Sequence, residues 1–314
     1  MKEFMEQIEC AQTIGITGHI HPDGDCIGSC LALRQYISEK YPEKQTDVYL
    51  EPISDEFLFL SGAGQILTIP KNEKYDLFFV LDCSSEDRFE PFSSLVRNAD
   101  TVFCIDHHIS NQGMGNYCIA DPKASATCEV LCDLIPLEEV SLKCAECLYT
   151  GIVHDTGVFK HSNTTKKTMI YAGELLEKGI HHSKIIDETF FQKTYVQNLA
   201  LGRALLNSRV FCDGTIICSG LSQEELDQLG AVPSDVNGII DQLRVTKGAE
   251  TAVFLYPLKN GGVKVSMRSN GKVNVSSIAQ EFGGGGHILA AGCTMFGSFE
   301  QIEKQLLPKI KEQL

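Results

Sequence analysis

The segment Gly15-Ile-Thr-Gly-His-Ile-His-Pro-Asp-Gly-Asp-Cys-Ile-Gly-Ser29 decides how the rest of the chain reads. Ile14 to Thr17 form a β-prone apolar run that leads into a turn rich in Gly and Pro. After Asp25, Ile27, Leu31, Ala32 and Leu33 recur at helical spacing, which predicts a helix over about 26–40. The loop between strand and helix carries His19, Asp23 and Asp25, one imidazole and two carboxylates that can converge on divalent cations. Pro22 and Gly24 bend and stiffen that loop so that its oxygens point the same way. On its own the segment also reads as a polar strand-to-helix turn with Asp25 as the helix N-cap.

The next two strands tilt the balance towards a metal site. Tyr75 to Cys83 contains a continuous apolar run, as expected of a parallel strand covered on both faces, and it reaches Asp82 at its end. Thr101 to Asp106 repeats the design, and His107 and His108 follow at once. A short strand is predicted over 47–51, and helices over 124–134 and 141–153. The second helix runs into His154-Asp155-Thr156-Gly157. Alternating strands and helices predict an α/β fold with a Rossmann-like, mostly parallel sheet. Ligands in such sheets bind beyond the carboxyl ends of the strands. His19, Asp23, Asp25, Asp82, Asp106, His107 and His108 all fall there, and Asp155 can join them from its helix end.

Length, charge and cysteine content bound the function. The 314 residues suit two domains, expected at 1–186 and 208–314 with a helical connector over 187–207 and a cleft between them. The net charge of −14 is uneven: residues 1–200 hold 30 Asp and Glu against 16 Lys and Arg, whereas residues 201–314 hold 11 of each. A protein that grips long nucleic acid carries a basic stripe, and this composition has none, so no long nucleic acid is expected as partner. No apolar run is long enough to cross a bilayer, and the first residues lack a signal-peptide pattern. The expected location is therefore the cytoplasm, with no membrane partner. Cys144 and Cys147 form a lone CxxC among thirteen cysteines and read as one buried helix face.

The second half carries two further chemical features. Val265-Ser-Met-Arg-Ser269 places Arg268 at a strand end, where its guanidinium can bind phosphate through two parallel hydrogen bonds. Gly283-Gly-Gly-Gly-His287 lets backbone N–H groups approach a ligand closely, and His287 can add a donor. Strands are predicted over 209–219, 251–257 and 262–269, and helices over 236–246 and 276–282.

Together, GHIHPDGD (18–25), VLDCSSEDR (80–88), IDHH (105–108) and HDTG (154–157) resemble the four motifs of the DHH phosphoesterase family. RSN (268–270) and GGGGHILAAG (283–292) resemble its associated C-terminal domain, so the likeness spans nearly the whole chain. The resemblance implies two cations, Mn²⁺ with Mg²⁺ or Co²⁺ as substitutes. His19, Asp23 and Asp82 would hold one, and Asp25, Asp82, His107 and Asp155 the other, with Asp82 as the bridge. It also implies that His108 faces the scissile phosphate, that Asp106 orients a histidine, and that Arg268, Ser269, Gly284, Gly285, Gly286 and His287 contact substrate. Arg88, in the second motif, reads equally as a substrate-phosphate contact or as an ion-pair partner within its own domain. The domain layout suits the stand-alone branch that hydrolyses short oligoribonucleotides or small nucleotides such as pAp. The runner-up is hydrolysis of linear or cyclic dinucleotides, and the reading from a different class is a non-catalytic nucleotide sensor. A homodimer is compatible with either.

Overall fold

Five short strands form the first sheet of a computed structural model that describes residues 2–314. β1 (Thr13–Thr17), β2 (Gln45–Tyr49), β3 (Leu77–Leu81), β4 (Thr101–Asp106) and β5 (Tyr117–Ala120) lie in the order β2-β1-β3-β4-β5, and every neighbouring pair is parallel. All five residues of β3 are buried, as its uninterrupted apolar run requires. The α/β expectation holds, and the parallel sheet extends one strand beyond it. β5 escapes the sequence because it is a four-residue edge strand with alternating partial exposure, its apolar run too short to stand out. The order has its switch point between β1 and β3, where crossovers leave in opposite directions. The carboxyl ends of β1, β3 and β4, which carry the candidate ligands, are therefore neighbours.

Helix bounds differ by a few residues from the sequence pattern, and one difference changes a role. The first long helix is Gly24–Lys40, with Asp23 as its N-cap: the Asp23 carboxylate accepts from the N–H groups of Asp25 and Cys26. Asp25 is thus not the cap. It is fully buried in the first turn and free for another task. Residues 124–126 stay outside the helix Thr127–Leu134, and the next helix continues to Asp155 (Leu142–Asp155). Cys144 and Cys147 are buried on that helix, in agreement with the packing reading.

Two glycines allow the helices Gly24–Lys40 and Leu142–Asp155 to cross at close range. A Cβ at Gly28 would lie 2.6 Å from the Cys147 carbonyl oxygen, and one at Gly151 would lie 2.6 Å from Asp25 Oδ1. The crossing is what brings Asp25 and Asp155, from different helices, to the same place.

The second unit begins at Lys193, after the division at Gln192. The 187–207 segment is split by it: Asp187–Phe191 forms a π-turn in the first unit, and Tyr195–Leu206 buries Ala200 and Ala204 in a core of the second. Six strands follow: β6 (Arg209–Phe211), β7 (Ile216–Gly220), β8 (Thr251–Pro257), β9 (Val263–Ser269), β10 (Gly285–His287) and β11 (Ala290–Met295). Their order is β10-β11-β9-β8-β7-β6, and only β7 and β8 pair parallel. The single strand expected over 209–219 is a hairpin, because Cys212, Asp213 and Gly214 all take positive φ and turn the chain. Among the described residues, no helix is long and apolar enough to cross a membrane.

The helix crossing gives a stability prediction. Gly28→Ala should lower stability by about 1–3 kcal/mol, since backbone rather than a flexible side chain meets the new methyl. Gly173→Ala, in helix Lys166–Glu177 with open space around it, should be neutral or mildly stabilising. Urea unfolding of both variants checks the contrast.

Candidate active site

Each of the three strand ends delivers its side chains by a different local device. After β1 the chain passes His19 and is tied across to the second motif, where Ile20 N–H donates to the Arg88 carbonyl at 2.6 Å. His19 is buried, and its Nδ1 lies 2.8 Å from its neighbour's carbonyl, Ile20 O, which turns Nε2 towards the carboxylates. After β3, Asp82 adopts a left-handed backbone (φ +53) while almost fully buried. That conformation is uncommon outside glycine, although Asp tolerates it better than most residues. After β4, Asp106 is fully buried and accepts from His107 N–H (2.8 Å), the Asn111 side-chain amide (2.7 Å) and His108 Nδ1 (2.7 Å).

These devices converge on Asp82. Its Oδ2 lies 3.4 Å from His19 Nε2, and its Oδ1 lies 3.6 Å from His107 Nε2 and 3.7 Å from His108 Nδ1. One carboxylate thus turns its two oxygens to two separate groups of candidate ligands. On one side His19 Nε2 also sits 3.6 Å from Asp23 Oδ1; on the other, His107 Nε2 sits 3.0 Å from Asp155 Oδ2. Asp25, His107 and Asp155 offer atoms within 4.8 Å of one another, as do Asp82, His107 and His108.

Electrostatics test whether cations suit this set. Burial pushes the Asp25 carboxyl well up, and the negative Asp82 and Asp155 push it further. Burial likewise raises Asp155. For the histidines burial opposes charge, yet contact with Asp23 and Asp82 carries His19 up to about 12, and contact with Asp155 and Asp25 carries His107 up to about 10. Without an ion, the histidines take protons because the carboxylates lack a counter-charge. A divalent cation supplies that charge and leaves neutral imidazoles free to ligate, so the donor set fits metal. Asp106 behaves differently: burial would raise it, but His108 and Asn111 hold it below the usual carboxylate range. The same contact with Asp106 raises His108.

The remaining candidates are distributed as follows. Arg88 is exposed and, among the described residues, has no carboxylate partner. Arg268 is on β9, its Nε bonded to Asp241 at 3.1 Å and its Nη1 to the Met267 carbonyl at 3.2 Å. Ser269 differs from the expectation of a substrate contact: it is buried, and its hydroxyl donates to Glu250 at 3.1 Å and holds the following turn. Gly284 is wedged where a Cβ would meet the Gly292 carbonyl oxygen at 2.2 Å. Gly285, Gly286 and the exposed His287 form β10, an edge strand rather than a free loop, pinned by Ser276 Oγ donating to Gly286 O at 2.7 Å.

Three features had no clear signal in the sequence. Cys26 shares a neighbourhood with His19 and Asp82, but burial pushes its thiol far above the usual range, so it remains a neutral group. His154 packs between Phe57 (5.0 Å) and Phe190 (4.9 Å), and burial lowers it to about 4, which makes it an uncharged buttress beneath Gly24. After Asp155, Gly157, Val158 and Phe159 take φ of +53, +57 and +61, one left-handed turn closed by Phe159 N–H donating to Thr156 Oγ1 at 3.0 Å. Strain of this kind concentrates at functional sites.

Stripping divalent ions with EDTA should lower the melting temperature by several degrees, and Mn²⁺ should restore it with measurable release of protons to the buffer. Calorimetry in two buffers of different ionisation enthalpy checks both; an unchanged melting temperature and no proton release would count against a metal-binding cluster.

Comparison with known proteins identifies the family of the chain. Residues 13–152 match the DHH family N-terminal domain, and residues 213–314 match the DHHA1 domain. Among curated relatives, a Thermus thermophilus protein named bifunctional oligoribonuclease and PAP phosphatase NrnA is 30% identical over 317 residues, covering 96% of this chain and 90% of that one. Its namesake from Bacillus subtilis is 27% identical over 315 residues, covering 97% and 96%. Among solved structures, an exopolyphosphatase-related protein from Bacteroides fragilis superposes with a TM-score of 0.88 at 26% identity, covering 99% of this chain and 95% of that one. By these matches the chain belongs to the DHH family of metal-dependent phosphoester hydrolases.

Proposed function

We propose that the chain hydrolyses short oligoribonucleotides of about two to five nucleotides to mononucleotides, and adenosine 3′,5′-bisphosphate (pAp) to AMP. The observation that carries a two-ion reading is Asp82, whose two oxygens face His19 and His107 separately. In this reading His19, Asp23 and Asp82 would hold one Mn²⁺, and Asp25, Asp82, His107 and Asp155 would hold the other. Two such ions, when bound, supply Lewis-acid charge against the phosphoryl oxygens and lower the pKa of water.

The chain's own residues do the rest. Asp106 fixes His108 through Nδ1, which leaves Nε2 as the nitrogen able to deliver a proton to the leaving oxygen. The Asp106 contact, working against partial burial, keeps that imidazole protonated to higher pH than usual, which suits a general acid. Arg268 is pre-set by Asp241 and the Met267 carbonyl, so its remaining N–H groups are directed before a phosphate arrives. The outer edge of β10 and His287 add donors for the same end of the substrate. The names of the Thermus and Bacillus relatives support this choice of substrate.

Kinetics separate the roles. His108→Ala should lower kcat by about 100-fold or more with bound metal unchanged, whereas Arg268→Ala should mainly raise KM. The opposite pattern would overturn the division of labour.

Substrate length is the decisive assay. With an acidic excess over residues 1–200 and neutrality beyond, added phosphates bring little attraction, so kcat/KM should fall as RNA lengthens. Mn²⁺-dependent turnover is to be compared on pAp, pApA, a five-nucleotide RNA, a 24-nucleotide RNA (about one order of size longer than the first two) and cyclic di-AMP. Efficiency equal or rising with length would overturn the proposal, turnover of pApA or cyclic di-AMP with none of pAp and the five-nucleotide RNA would establish the dinucleotide reading, and no turnover would favour a sensor.

A further inference from the structure

We infer that Thr127 is a positioning residue that holds the bridging carboxylate and one ligand of the second ion in fixed relation. The inference rests on the two-ion reading of Asp82. Thr127 lies at the start of helix Thr127–Leu134, fully buried, about twenty residues beyond the IDHH motif in the chain but in contact with two other motifs in space. Its Oγ1 donates to Asp82 Oδ1 at 3.0 Å, and its backbone N–H donates to Asp25 Oδ2 at 2.6 Å. The next N–H, of Cys128, donates to Asp25 Oδ1 at 3.0 Å.

Three observations give this arrangement weight. Asp82 stands on a left-handed backbone, so its side-chain direction is not set by an ordinary strand continuation. Among the described residues, Thr127 supplies the only hydroxyl hydrogen bond to its carboxylate. Asp25, for its part, is packed against Gly151 and has both oxygens capped by the helix N-terminus, which favours a negative charge there. One turn of chain therefore grips a ligand of the second ion through the backbone and the shared ligand through a side chain. Each carboxylate oxygen retains a lone pair for metal after accepting one hydrogen bond. The hydroxyl is the part a substitution can remove without disturbing the backbone contacts. Outer contacts of this type typically change metal affinity or activity by about 10- to 100-fold.

The test compares Thr127→Val, which keeps the branched shape and loses the hydroxyl, with Thr127→Ser, which keeps the hydroxyl. Mn²⁺ titration of the EDTA-stripped full-length protein, followed calorimetrically, reads the number and affinity of ions independently of turnover. The expected result is about a 10-fold or greater loss of affinity for at least one ion in Thr127→Val, near-wild-type binding in Thr127→Ser, and a matching fall in kcat only in the valine variant. Circular dichroism and gel filtration establish that both variants fold. If Thr127→Val does not fold, the serine variant decides: weakened binding in folded Thr127→Ser overturns the inference, and wild-type binding supports it. Two ions in the wild type with an unchanged Thr127→Val isotherm overturn the inference alone. A single ion in the wild type overturns the two-ion reading, and the inference with it.

Discussion

Mutual repulsion among buried carboxylates is the constraint around which the first unit is arranged. Asp25 and Asp155 offer oxygens within 4.8 Å of each other, and Asp82 raises both by its charge. Two unit charges at about that separation repel by roughly 3–4 kcal/mol at an effective dielectric of about 20. A hydrogen bond to a charged group returns about 1.5–3 kcal/mol, so the contacts from Thr127 and Cys128 moderate the repulsion without removing it. The cluster needs positive charge, and in the ion-free state protonated His19 and His107 provide it. An affinity for divalent ions and a readiness to exchange protons are two aspects of one charge deficit.

Backbone geometry makes such crowding achievable. The sheet order places the ends of β1, β3 and β4 side by side, and Gly28 and Gly151 let two helices approach until Asp25 and Asp155 meet. The two halves of the chain answer different demands. In the first unit the glycines permit helix contact and a charged interior; in the second, Gly284 and Gly286 permit a tight pairing of β10 on β11 that keeps an edge strand close to its neighbour.

Much of this was legible in the sequence because ligand-type residues follow apolar runs at the ends of strands, and three repetitions are hard to produce by packing alone. Asp82, Asp106 and His107 could be placed for that reason. The rest was hidden for identifiable causes. Four glycines have no side-chain period, so nothing in their pattern marked β10 as a strand. Tyr117–Ala120 is only four residues long, alternates in exposure at a sheet edge and lacks the full burial of β3. Val158 and Phe159 are among the last residues expected in a left-handed turn, since their bulk opposes it. Ser269 looked like a ligand contact beside Arg268, but alternation along β9 turns it inward. Thr127 at a helix start resembles any other helix-initiating threonine until Asp82 is seen to face it.

The left-handed backbone at Asp82 has an evolutionary consequence. Glycine would occupy that conformation without the steric penalty of a Cβ, and it would remove one of the charges that repel Asp25. A lineage selected only for persistence of the fold would therefore drift away from aspartate at this position. Its presence sets fold durability against chemistry at a single residue, and descendants released from catalytic duty should show the loss here first, with the fold intact and more robust.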